Sequence, residues 1–122
     1  MNDIKNDLRE RTTGFALRIV RLYKSLPKST EAQVLGKQVL ESGTSVGAQF
    51  RESQRAKSDA DFINKLQSVL QEADETAFWL ELLVRAEIVP ANRLQALRKE
   101  TDEIIAILVT IVTKVKKRIG KL

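Results

Sequence analysis

The sequence predicts an all-α fold: a single up-down-up-down four-helix bundle, one domain over residues 1–122, assembling as a homo-oligomer. Three observations predict it. Apolar residues recur every three or four positions through four long segments, the period of a helix buried on one face. The chain has only two prolines and five glycines, which suits long helices. The breaks between segments are short, so consecutive helices should lie antiparallel side by side.

The first helix is expected over about 4–26. Leu8, Phe15, Ile19, Leu22 and Leu26 line one face, and Pro27 ends it because proline supplies no N–H and disfavours helical geometry in the residue before it. Thr30 and Gln33 then read as a capping box opening a second helix, about 30–53. Leu35, Val39, Val46 and Phe50 form its apolar stripe, and Gly36, Leu40, Gly43 and Gly47 run beside it. A helical glycine costs about 1 kcal/mol relative to alanine. Close approach of another helix is the simplest compensation, so Ser42 to Phe50 reads as packed helix.

Ser58 and Asp61 form a second capping-box pattern at the start of helix three, about 58–88. Its inward face is read as Phe62, Leu66, Val69, Ala73, Leu80 and Val84, with Leu83 beside them. Helix four, about 91–119 after Pro90, turns Leu94, Leu97, Ile104, Leu108, Ile111 and Val115 inward. It ends near Gly120, with Lys114, Lys116, Lys117 and Arg118 suited to the negative end of the helix dipole.

Two segments carry more apolar surface than four helices can bury among themselves. In Ala77 to Ala86, Phe78, Trp79, Leu82 and Ala86 are expected to point away from the inward face and to form an oligomer interface. In Ile104 to Val112, eight of nine residues are apolar, which predicts burial all round. Another copy of the chain would cover these surfaces.

The formal charge is +5, unevenly spread: basic over residues 1–57 and 101–122, acidic over 58–100. That division suits an anionic partner or complementary faces between subunits. With no histidine and no cysteine, the usual catalytic triads, zinc sites and disulfides are excluded. Glu72, Asp74, Glu75 and Glu81 read as a solvated helix face, so no metal and no cofactor is expected. Gly43 and Gly47 lack the strand and the Gly-Lys-Ser/Thr of a phosphate loop. The expectation is therefore a protein that is not an enzyme. No signal peptide or span is read, which points to the cytoplasm and away from membranes.

The candidate nucleic-acid-binding residues are Arg51, Arg55 and Lys57 at the end of helix two, with Arg18 and Arg21 on helix one as helpers. Structured RNA, or DNA, would be read through phosphates and shape, since no recognition module or aromatic stacking platform is present. The alternative is a protein-interaction scaffold that binds no nucleic acid.

The stretch Leu26 to Ala86 resembles the 23S ribosomal RNA intervening-sequence protein family. The segments Ser42 to Ser53, Ser58 to Phe62 and Glu72 to Leu83 carry the resemblance. Where the family often has Ala-Asn-Tyr or Ala-Asn-Ile, this chain has Ala48, Gln49 and Phe50. The resemblance implies a left-handed four-helix bundle assembling into a ring, typically a pentamer. It supplies no catalytic residue. A similar bundle serves as the accessory protein of diversity-generating retroelements, where a basic pentamer engages nucleic acid and a reverse transcriptase, so the resemblance also implies an RNA, DNA or protein partner.

Overall fold

A computed structural model describes the backbone of residues 2–121 and the side chains of residues 7–121. Among the described residues there are four helices and no strand: α1 (Asn2–Ser25), α2 (Thr30–Ser53), α3 (Asp59–Arg85) and α4 (Ala91–Arg118). Each packs on its neighbour in the chain. α4 returns to α1 less extensively, and among the described residues neither diagonal pair brings its backbones within 8 Å.

The buried stripe of α1 is Leu8, Thr12, Phe15, Ile19 and Leu22, with Leu26 just past the helix end. The glycines of α2 face it. A Cβ on Gly43 would lie 2.7 Å from Ile19, and one on Gly36 would lie 2.6 Å from Leu26. At Gly47 the obstacle is the Thr12 carbonyl oxygen, 3.3 Å away. Close approach of α1 is thus what these glycines allow, and the pairs run in opposite directions along the two helices.

The inward faces of α3 and α4 differ from expectation by one position in places. Ile63 is buried where Phe62 was expected, Leu83 is buried as expected, and Phe62 and Val84 are half-buried. Val112 is buried and Ile111 half-buried. Each of these sites has apolar residues at adjacent positions, 100° apart, so two stripes compete and packing selects one. Thr12, Ser42, Ser53, Thr76 and Thr101 also enter the core. Their hydroxyls donate to carbonyls three or four residues back, as Thr101 does to Leu97 at 2.8 Å, so no buried donor is stranded. Ser42 and Thr76 also meet across α2 and α3 at 2.9 Å.

Helix ends follow from local chemistry. Ser29, not Thr30, caps α2, accepting from the Ala32 N–H; Gln33 instead donates to the Pro27 carbonyl at 2.8 Å. Ser58 caps α3 by accepting from the Asp61 N–H at 3.1 Å. The Asp61 carboxylate accepts from the Lys57 N–H at 3.0 Å, one residue before the expected capping-box partner. α3 stops three residues short of Ile88 in a reversed turn: Ile88 N–H donates to the Leu83 carbonyl and Glu87 N–H to that of Val84. This is a Schellman motif, and it puts Glu87 at φ 59°. α4 ends in the same motif with Gly120 at φ 76°.

Within the chain, Ile104 to Val112 is not buried all round: Ala106 is exposed and Val109 is 48% exposed. A helix packed against two neighbours keeps an outward face. Phe78 is 51% exposed, Ala86 exposed and Leu82 half-buried. Trp79 does not point away as expected; it packs against the core, with Phe78 edge-on at 5.0 Å. No described helix is long and apolar enough to cross a membrane.

Candidate nucleic-acid interface

The five basic residues singled out in the sequence do not form one surface; they fall into three places. Arg51 and Arg55 line a cleft of about 460 Å³ at the end of α2, joined there by Arg9 of α1 with Glu52 and Gln54. Local geometry explains this grouping. Arg51 Nη2 donates to Thr13 Oγ1 at 3.0 Å, which fixes the register of α2 against α1. Four residues toward the start of α1 and four past Arg51, one turn each way, bring Arg9 level with Arg55. Among the described residues, none of these three arginines forms an ion pair.

Lys57 faces a second, smaller cleft, which it shares with Asp59, Phe62 and Arg118. Arg118 there is already paired with Asp59 at 2.9 Å. Arg18 and Arg21 line a groove between α1 and α4 together with Arg93, above a floor of Leu22, Leu94 and Leu97. The nearby Arg11 is committed elsewhere. It forks onto Glu100 (2.6 and 3.0 Å) and reaches Glu103 at 3.1 Å, and the Glu100 hydrogen bonds chiefly hold its pKa above the ordinary value.

Sequence reasoning missed Arg9 and Arg93. Their partners lie in other helices, and only the antiparallel register brings them in. That register was available in principle from the glycine stripe facing Ile19 and Leu26.

An acidic group occupies the α2–α3 side. Gln49 Nε2 donates to Glu72 Oε2 at 3.0 Å, while Gln49 Oε1 is buried without a partner. Burial, then Glu75, push the Glu72 carboxyl above its usual range; the Gln49 amide opposes that rise and Glu41 adds to it. Among the described residues no three carboxylates are placed to hold a metal ion.

The fold and these surfaces define a small all-helical protein whose unneutralised arginines gather in clefts between helices. The family model described as 23S rRNA-intervening sequence protein matches residues 5–110, and the chain belongs to that family. It is similar to a solved structure from Bacteroides thetaiotaomicron VPI-5482, a protein of unknown function from the S23 ribosomal protein family. The two share 43% identity with a TM-score of 0.84, covering 89% of this chain and 97% of the other. No curated protein matches.

Proposed function

We propose that this protein is a non-enzymatic, self-assembling four-helix bundle that binds structured RNA through phosphate contacts. One observation carries the reading: Arg9, Arg51 and Arg55 converge on one cleft with no ion-pair partner among the described residues. Three guanidinium groups share the cleft with the single Glu52 carboxylate, which forms an ion pair with none of them among the described residues, so a net positive charge remains that a phosphate can meet while accepting forked hydrogen bonds. The Glu52 carboxylate and the partial negative charge of about half a unit at the last turn of α2 together fall short of three cations. The family's description names 23S rRNA, which makes a folded RNA the polyanion to try first.

In this reading the bundle is a single domain, up-down-up-down and left-handed, and forms a homo-oligomer of five subunits, the number the family resemblance implies. Assembly repeats the cleft, so that modest phosphate contacts add. Lys57 is a flanking contact. The protein works in the cytoplasm and needs no cofactor.

Arginine substitution tests this. Arg55→Gln and Arg9→Gln should each weaken binding to a structured RNA and lower the salt slope by about one phosphate's worth. Arg11→Gln should leave the slope unchanged, because Arg11 is already paired. Equal slopes in all three variants would remove the cleft from the account. Absence of RNA binding in a fully assembled sample would favour the protein scaffold.

A further inference from the structure

Opposite seams of the bundle carry groups of opposite charge that form no ion pair among the described residues. Since the helix backbones neighbour one another in the order α1–α2–α3–α4–α1, the α1–α4 seam lies across the molecule from the α2–α3 seam. At the α1–α4 seam Arg18, Arg21 and Arg93 rim a groove of about 300 Å³ floored by leucines. Among the described residues none of the three is ion-paired, and Arg93 has only a long 3.4 Å hydrogen bond to Ser25 Oγ. At the α2–α3 seam Glu41, Glu72 and Glu75 gather, also without an ion pair among the described residues. Phe78 follows Glu75 by three residues, which puts both on one helix face, and the residue is 51% exposed.

We infer that the α1–α4 groove of one copy receives the α2–α3 face of a second copy, with Phe78 entering over the leucine floor and Glu75 and Glu41 meeting the arginine rim. The match has three parts. The groove is larger than the ~150 Å³ cavity that takes a benzene ring, so a phenyl group fits. Three arginines face Glu75 and Glu41, with Glu72 behind them on the Gln49 amide. The acidic group points the same way: burial and then the Glu75 and Glu41 carboxylates raise the Glu72 carboxyl above its usual range, and an outside cation would relieve that crowding. Surface ion pairs add little affinity by themselves. Phe78 is thus the anchor, and the charges set orientation and exclude wrong registers.

The two faces differ, so the contact is heterologous. Each copy offers one groove and one knob, and repetition builds a ring or a filament. It follows that Arg18 and Arg21 serve assembly, leaving RNA contact to the Arg9–Arg51–Arg55 cleft. The inference rests on the self-assembly part of the proposed function and not on RNA binding; the mass of the unmodified protein tests that part by itself.

The test uses two full-length variants in sedimentation equilibrium, with helical circular dichroism as the check on folding. One, Arg18→Glu/Arg21→Glu, spoils the groove. The other, Glu75→Arg/Phe78→Ser, spoils the knob. The unmodified protein should exceed the 13.8 kDa of one chain. Each variant alone should be a folded monomer, its association weaker by at least the ~30-fold expected from one lost anchor residue. Mixed, they should form 1:1 dimers and nothing larger, since each retains one intact face. A monomeric unmodified protein would overturn self-assembly and this interface together. Assembly by either variant alone, including a dimer that stops at two, or a mixture that stays monomeric, would overturn the interface and leave self-assembly standing. If the reversed charges disturb folding, Arg18→Gln/Arg21→Gln is measured in their place and read in the same way.

Discussion

Gly14 and Gly43 are both helical glycines, and what surrounds them differs. Nothing lies within 4 Å of a Cβ built on Gly14, so Gly14→Ala should stabilise by up to about 1 kcal/mol through helix propensity. At Gly43 three Ile19 atoms lie within 3.0 Å of such a Cβ, and Ile19 is fully buried and cannot retreat. Overpacking of about 1–3 kcal/mol then outweighs the propensity gain of about 1, and Gly43→Ala should lower the thermal midpoint. Opposite signs for these two substitutions in one melting experiment are the expected result. Glu87 poses the reverse case. It holds a left-handed conformation at φ 59°, where Gly120 serves in the matching turn after α4. Glu87→Gly should stabilise by about 0.5–1 kcal/mol, the relief of the left-handed conformation less the added freedom of glycine in the unfolded chain. An unchanged or lower midpoint would mean that the turn carries no such strain.

The start of α3 shows how an element is set by a few atoms. Ser58 accepts from Asp61 N–H, and Asp61 accepts from the Lys57 N–H and from Lys65. The Lys57 N–H, then Lys65, hold the Asp61 carboxyl below its usual range. A carboxyl with a lowered folded pKa contributes stability above its unfolded value, near 3.9, and loses it as pH falls through the folded value. Asp61→Asn should therefore lower the melting midpoint at pH 7, and the gap from the unmodified protein should close below about pH 4. Ser58→Ala should cost about 1 kcal/mol with no such closure. All four helices were readable in the sequence because each has a buried stripe of the right period and a proline or capping serine at its boundaries. What was not readable is which of two adjacent apolar positions turns inward, as at Ile63 and Val112. The core hydroxyls of Thr12, Thr76 and Thr101 were missed for a related reason: they satisfy themselves on their own helix and leave no polar signature between chain segments.

At the scale of the whole molecule the sequence showed a basic protein with surplus apolar surface, but not where the charges meet. Arg51 and Arg55 were readable as a cluster because they are one helical turn apart. Arg9 and Arg93 required the packing of α1 against α2 and α4, which local spacing does not encode. The same packing separates Arg18 and Arg21 from Arg51 and neutralises Arg11, so five candidate cations resolve into distinct surfaces. The central claim is that the Arg9–Arg51–Arg55 cleft contacts phosphate. The most direct test is the affinity of the unmodified protein for a structured RNA across a salt series, with its mass measured in the same buffers. Three phosphate contacts predict log affinity falling against log salt with a slope of at least about −2, steeper as assembled copies engage together. Binding with a slope near zero, or none at low salt from an assembled protein, would contradict the account.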